Sequence, residues 1–141
     1  MKKRGFTLIE LLAVIVLLAI IALIATPIVM KLISNAQEGA NARSVEGYMK
    51  AYEAAYYDYM LHNGGKRPSG KLDITTADYS GSTVNCEGIT VTDGKFTATC
   101  SIDGQDGLYS YVNGKATKVG SGSVEGSTPN SPNSPSQPSE P

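Results

Sequence analysis

The chain has 141 residues and a formal net charge of −1, so we expect one domain and no basic surface strong enough to predict nucleic-acid binding. An acidic substrate is equally unsupported. Composition changes sharply along the chain: residues 6–30 are almost all apolar, whereas residues beyond 64 are rich in Gly, Ser, Thr, Asn and Asp. The first part suits lipid and the second suits water.

The apolar stretch, residues 6–30, follows a basic start formed by Lys2, Lys3 and Arg4. A bilayer core about 30 Å thick needs about 20 apolar residues in a helix, so this stretch predicts a membrane-spanning helix. The basic flank predicts that its N-terminus lies in the cytoplasm. A cleaved secretory signal fits less well, because the apolar run is longer than a usual signal core and no A-x-A site follows it.

Glu10 is the one residue that an ordinary membrane anchor does not explain. An ionised carboxylate inside a bilayer costs about 2.5 to 3.5 kcal/mol on insertion scales, so it normally has a charged partner or a function. Near the helix end, Glu10 could also simply reach the lipid headgroups. Both interpretations remain open from the residue pattern alone.

Residues 31–62 contain no proline and are rich in helix-forming residues, which predicts that the helix continues beyond the membrane. A spacing of 100° per residue puts an apolar and aromatic stripe on one face: Val45, Tyr48, Tyr52, Tyr56 and Tyr59. We interpret this stripe as core packing rather than as an aromatic path for electrons. The opposite face, predicted to meet water or neighbouring subunits, carries Arg43, Glu46, Lys50, Glu53 and Tyr57.

The predicted helix ends at His62, because Asn63, Gly64 and Gly65 can adopt the left-handed conformation that terminates helices. His62 is the only histidine, and its position at a helix C-terminus favours capping over catalysis or metal binding.

After the helix the apolar period changes from 3.6 to 2. The predicted strands are residues 72–75, 89–92, 95–102, 108–112 and 116–119. Asp93-Gly94 and Asn113-Gly114 each predict a two-residue hairpin turn, because both turn positions need positive φ. The sheet is too small to cover both of its faces, so one face is expected to pack on the tyrosine stripe, giving an α+β fold. Residues 120–141 are rich in Gly, Ser and Pro and are predicted to be disordered.

Cys86 and Cys100 are the only cysteines, and they are too far apart for a CxxC redox or zinc motif. A structural disulfide is favoured over two buried free thiols. Residues 103–107 offer oxygen ligands, but their spacing does not match an EF-hand loop, so a plain turn is favoured over a calcium site. We expect no cofactor, no metal and no catalytic residues.

The N-terminal sequence Gly5-Phe6-Thr7-Leu8-Ile9-Glu10, between a basic leader and the apolar run, resembles that of type IV pilins and pseudopilins. The resemblance implies that a prepilin peptidase cleaves after Gly5 and that the new N-terminal Phe6 is N-methylated. It maps the family's acidic position to Glu10 and its helix-bending proline to Pro27. The Cys86 and Cys100 pair is similar to the disulfide of many pilins, although here about forty residues follow the second cysteine.

The resemblance implies a structural subunit that passes from the cytoplasmic membrane into an extracellular type IV pilus, used for adhesion, motility or DNA uptake. Implied partners are other copies, minor pilins, prepilin peptidase, an inner-membrane platform protein and an assembly ATPase. In a staggered bundle, the Glu10 carboxylate could pair with the Phe6 amine of another subunit or of its own. Alternatives are a pseudopilin of type II secretion or of a competence pseudopilus and, in another class, a membrane-anchored surface binding module.

Overall fold

The computed structural model describes residues 4–124. It contains helix α1 (Leu8–His62) and strands β1 (Val84–Thr92), β2 (Lys95–Ile102), β3 (Leu108–Val112) and β4 (Lys115–Gly120). The chain divides between Asn41 and Ala42 into two compact units. Residues 1–3 of the expected leader and residues 125–141 of the expected disordered segment lie outside the described range. The predicted fold, a long helix with a small antiparallel sheet, is confirmed.

The second unit contains a four-stranded antiparallel sheet in the order β1-β2-β3-β4. Both predicted hairpin turns are present: φ is 52° at Asp93 and 73° at Gly94, and 46° at Asn113 and 96° at Gly114. Consecutive positive φ values are those of a type I′ turn, whose twist matches that of the flanking strands. These two dipeptides therefore fix the registers of the first and last hairpins.

The prediction of a strand at residues 72–75 is wrong, because these residues pair with no strand. Leu72 and Ile74 are partly buried against the core, so their alternation reflects contact with the core and not a place in the sheet. Strand β1 begins at Val84, five residues before its predicted start. Its first residues Val84 and Cys86 are buried, while the residues between and after them alternate less regularly.

One face of the sheet packs on the part of α1 that belongs to the second unit. Val45, Tyr48, Tyr52 and Tyr56 are buried there as predicted, and Phe96, Tyr109 and Tyr111 are the largest buried residues of the sheet. The rings of Tyr56 and Phe96 meet edge to face with centroids 5.3 Å apart. The prediction for Tyr59 is wrong, since 37% of that residue is exposed.

The predicted water-facing side of the helix also needs correction at two positions. Glu46 and Glu53 are half-buried and reach the sheet. A Glu46 carboxylate oxygen accepts a hydrogen bond from the Ala116 N–H at 3.1 Å, and a Glu53 oxygen accepts one from the Tyr111 hydroxyl at 3.1 Å. A helical projection alone places these two residues on the side away from the sheet. Long side chains at the margin of a helix face can nevertheless reach the sheet.

The helix ends where the glycines predict. The Gly65 N–H donates to the Met60 carbonyl at 2.8 Å, and φ is +64° at Gly64 and +81° at Gly65. This 6→1 hydrogen bond is that of a Schellman motif, which satisfies a carbonyl that the helix end would leave unpaired. His62 Nδ1 lies 2.9 Å from the Asp58 carbonyl oxygen, in the last turn, where the sequence predicted a capping role.

Candidate functional site

The N-terminal part of α1 exposes apolar side chains around its whole circumference. From Leu8 to Ile33 nearly every residue is exposed, including Leu11, Leu12 and Ile24, which lie on different sides of the helix. Within residues 4–124, α1 is the one helix long and apolar enough to cross a membrane, and none of its most apolar window is buried. A surface of this kind is stable only in lipid or against other apolar helices.

Glu10 belongs to a capping box at the start of this helix. The Thr7 N–H donates to Glu10 Oε2 at 2.9 Å, and the Leu11 N–H donates to the Thr7 carbonyl at 3.2 Å. Thr7 is thus the N-cap and Glu10 the third helical residue, and the carboxylate reaches back to satisfy an amide that has no partner within the helix. The sequence pattern Thr-x-x-Glu, here Thr7 and Glu10, is a local signal from which this capping box could have been predicted.

Gly5 and Phe6 lie immediately before the helix, in a segment without regular secondary structure. Both residues are exposed, Phe6 to 84%. The Gly5–Phe6 peptide bond is therefore accessible in an irregular segment, as a protease substrate must be. Cleavage at this bond and methylation of Phe6 remain predictions.

Pro27 lies inside α1, and the helix is continuous through it. Proline has no N–H to donate to the preceding turn, so one helical hydrogen bond is missing here. One residue earlier, the Thr26 hydroxyl donates to the Ala22 carbonyl at 2.6 Å. A Thr side chain bonded to the i−4 carbonyl often accompanies a bent helix, although bending at Pro27 remains a prediction.

Cys86 and Cys100 form a disulfide in the second unit. They face each other directly in the β1–β2 register, and both are fully buried. The bond joins neighbouring strands of one hairpin. It therefore fastens the sheet itself.

Other candidate groups in the described residues have structural partners. The Asp106 carboxylate accepts a hydrogen bond from the Gly122 N–H, and the Gln105 N–H donates to the Ile102 carbonyl. No group of three or more His, Cys, Asp or Glu side chains in residues 4–124 is placed to hold a metal ion. The arrangement of residues 103–107 is that of a turn between β2 and β3.

Two tyrosines of the core have strongly perturbed acidity. Burial raises the pKa of Tyr48 to about 12, with smaller contributions from Tyr52, Tyr79 and Asp73. Burial also raises the pKa of Tyr111 to about 12, and the negative charge of Glu53 adds to the effect. Their hydroxyls stay protonated at neutral pH, so they act as hydrogen-bonding core residues and not as bases.

These features define a class of protein: an α+β chain whose N-terminal helix presents an apolar surface and an acidic cap. The prokaryotic N-terminal methylation motif matches residues 1–26. The chain is also 29% identical over 101 residues to a ComG operon protein 3 homolog of Bacillus licheniformis, covering 70% of this chain and 99% of the relative. No solved structure matches the chain. The similarity to the methylation motif is confined to the N-terminal residues, whereas the similarity to the relative covers most of the chain.

Proposed function

We propose that this chain is a structural subunit that polymerises through its N-terminal helix into a surface filament of the type IV pilus class. The observation that carries the proposal is the helix from Leu8 onward, whose apolar side chains are exposed on all sides. Such a helix is stable in the bilayer as a single copy and in a bundle of equivalent helices after assembly. The methylation motif over residues 1–26 supports this interpretation.

In this proposal residues 1–5 are a leader, residues 6–30 span the membrane and later form the filament core, residues 31–119 form the globular domain and residues 120–141 follow it. Prepilin peptidase cleaves after Gly5 and methylates Phe6. An inner-membrane platform protein and a cytoplasmic ATPase then supply the energy to extract the subunit. The family has a structural role, and we propose no catalytic activity.

The new Phe6 amine and the Glu10 carboxylate form the proposed assembly charge pair. Removing two ions from water is costly unless they meet, so an amine and a carboxylate in an apolar bundle favour the stagger that brings them together. The capping bond from Thr7 uses one site of Glu10 Oε2. A carboxylate has about four acceptor sites, so the cap and an intersubunit amine can be satisfied at once.

A competence pseudopilus subunit is the second candidate, and the ComG relative favours it. That protein is aligned over 99% of its length, so the similarity extends beyond the N-terminal motif. In this role the filament is short and serves DNA import, and no direct nucleic-acid site on this chain is required. A type II secretion pseudopilin would share the fold and the leader processing.

The first test is N-terminal peptide mass spectrometry on material sheared from the native cells. We expect peptides that begin with methylated Phe6 in the sheared fraction. Processed protein that never leaves the cell envelope would favour a pseudopilus, with loss of DNA uptake in a deletion strain pointing to competence. Unprocessed protein found only in membranes would contradict both and leave a membrane-anchored binding module.

The second test separates the charge of Glu10 from its capping role. Glu10→Gln keeps an oxygen that can accept from the Thr7 N–H but removes the charge, whereas Glu10→Ala removes both. We expect both variants to lose filaments, measured as sheared subunit relative to the membrane pool. Glu38→Gln, a carboxylate change elsewhere on α1, is the matched control. Filaments at wild-type level in Glu10→Gln would limit Glu10 to capping.

A further inference from the structure

The outer edge of strand β4 is open. In the order β1-β2-β3-β4 it is the last strand, so within the sheet it pairs with β3 alone. Thr117, Lys118 and Val119 are exposed, and Thr and Val are residue types that favour strands. The backbone groups along an open edge can pair with a strand of another chain. The β4 edge is therefore a surface on which a second chain can extend the sheet.

Ala116 directs its backbone N–H towards this open edge. Hydrogen-bonded and non-hydrogen-bonded pairs alternate along an antiparallel ladder. The residues that flank a two-residue turn form a hydrogen-bonded pair, and here they are Val112 and Lys115. The next pair, Tyr111 with Ala116, is then not hydrogen-bonded, so the N–H and carbonyl of Ala116 point away from β3. Lys118, two residues further along β4, repeats this orientation.

The Glu46 side chain engages the outward N–H. A Glu46 carboxylate oxygen accepts the hydrogen bond from the Ala116 N–H at 3.1 Å. Glu46 is half-buried and Ala116 is buried. A strand that added to β4 would bring a carbonyl oxygen to the same N–H, and a single N–H cannot serve both acceptors fully. Pairing would therefore deprive a half-buried carboxylate of this hydrogen bond, which is costly.

The other edge of the sheet is a poor match for β4. Strand β1 has a register shift between Glu87 and Thr90, and φ is +59° at Gly88. A bulge at an edge interrupts the row of backbone groups that another strand would bond. Of the two edge strands that a second copy offers, β4 is therefore the one that fits.

Two β4 strands also match in register. Antiparallel pairing about a two-fold axis at Thr117 places Ala116 of one copy opposite Lys118 of the other, and these are the residues whose backbone groups point outward. Lys115 then lies opposite Val119, so no lysine directly faces a lysine. Thr117 meets its own symmetry mate in a non-hydrogen-bonded pair, with Cα atoms about 4.5 Å apart.

We propose that the β4 edge is a pairing surface for a second copy of this chain and that Glu46 keeps this surface closed. The carboxylate holds the Ala116 N–H and so competes with the carbonyl of an incoming β4. Each copy of a β4–β4 pair must displace its own Glu46, so two such hydrogen bonds oppose every pair. The bulge protects the β1 edge, and the Glu46 side chain protects the β4 edge.

Closure of the edge has a consequence for assembly. A β4–β4 pair is isologous, so it closes after two copies. A filament grows by adding equivalent copies, and closed pairs would withdraw subunits from it. This consequence rests on the proposed function, whereas the pairing surface and the role of Glu46 do not. The experiment below uses dispersed chains, so its failure would leave the filament proposal untouched.

The test is disulfide cross-linking of the full chain in detergent micelles, with Thr117→Cys as the reporter. Thr117 is exposed, and a cysteine at this position meets its own symmetry mate in a β4–β4 pair. We expect little interchain disulfide in Thr117→Cys alone. Adding Glu46→Ala should raise the association constant, read from the disulfide yield at several chain concentrations, about a hundredfold. This is about tenfold for each of the two lost hydrogen bonds.

Matched variants make the result specific. Glu46→Gln retains an oxygen that can accept from the Ala116 N–H and should leave the edge closed. Glu46→Leu keeps the side-chain size without an acceptor and should open the edge even if Glu46→Ala does not fold. Val112→Cys, an exposed reporter on β3 away from the edge, should not respond. A folded Glu46→Leu chain that does not cross-link through Thr117→Cys, or an equal response from Val112→Cys, would refute the proposal.

Discussion

Gly81 is the position in the globular unit where a single methyl group should be most damaging. Its φ is +137°, and an added Cβ would lie closer to Ser44 Oγ than van der Waals contact allows and 2.9 Å from Ser44 Cβ. Ser44 is a buried residue of α1 whose hydroxyl accepts a hydrogen bond from the Ser82 N–H at 3.2 Å. Gly81→Ala must therefore strain the backbone and push the loop away from the helix.

The magnitude follows from these two effects. A non-glycine residue in a sparsely populated backbone region costs about 1 to 3 kcal/mol. Breaking the Ser82–Ser44 hydrogen bond and leaving a partly buried group unpaired costs about 1 to 3 kcal/mol more. We expect a loss of about 3 kcal/mol in the free energy of unfolding. For a unit of this size that corresponds to a fall in Tm of roughly 12 to 24 °C.

The assay is urea unfolding of the full chain in detergent micelles, followed by the near-ultraviolet circular dichroism of the buried tyrosines. Gly70→Ala is the matched control, because nothing lies within 4 Å of its added Cβ and its φ is outside the left-handed region. Its stability should stay within about 1 kcal/mol of the wild type. If Gly81→Ala were as stable as Gly70→Ala, the close contact of the loop with Ser44 would be wrong.

Three further predictions concern the same unit. In the folded state Tyr48 and Tyr111 have a pKa of about 12, whereas an unfolded tyrosine has a pKa of about 10. The free energy of unfolding should therefore be unaffected below pH 10 and fall by about 2 to 3 kcal/mol per tyrosine as the pH rises to 12. Urea midpoints that do not fall over this range would contradict the raised pKa values. Replacing both Cys86 and Cys100 by Ala should lower the free energy of unfolding by roughly 3 kcal/mol relative to the oxidised wild type, because the disulfide restricts the unfolded chain. Equal stabilities of the two proteins would contradict this restriction. Glu46→Ala should lower the free energy of unfolding, measured by thermal unfolding, by about 1 to 3 kcal/mol, because it leaves the buried backbone N–H of Ala116 in β4 unpaired. Glu46→Gln retains an acceptor for this N–H and should lose less stability. An equal loss in both variants would mean that the charge of Glu46 matters rather than the hydrogen bond.

The hairpins were predictable because their determinants are local. Asp93-Gly94 and Asn113-Gly114 each specify a turn through the conformations that these residue types tolerate, without reference to the rest of the chain. The helix end was predictable for the same reason, since Gly64 supplies the left-handed residue of the Schellman motif.

The predictions that were wrong concern residues whose pairing or exposure is determined by tertiary contacts. Leu72 and Ile74 alternate like a strand because both face the core, but no neighbouring strand lies within pairing distance of their backbone. Tyr59 lies in line with the buried tyrosines, yet it is two-fifths exposed because the stripe of buried residues ends at Tyr56. Periodicity identifies a face but not how far the partner element extends along it.

The candidate site was only partly predictable. Gly5, Phe6 and Glu10 stand out from the sequence because the family pattern marks them. The bond from the Thr7 N–H to Glu10 was missed, although Thr-x-x-Glu is itself a local signal. The contacts of Glu46 and Glu53 with the sheet could not be found in this way, since their partners lie 70 and 58 residues away along the chain.

The disulfide has a mechanical consequence. A chain pulled from points on either side of Cys86 and Cys100 transmits the load through the sulfur atoms and not through the residues between them. The 13 intervening residues, numbered 87–99, are then shielded from tension, which removes roughly 45 Å from the length to which the chain can be drawn out. Force can peel β3 and β4 from the sheet, but the link between β1 and β2 holds until a covalent bond breaks.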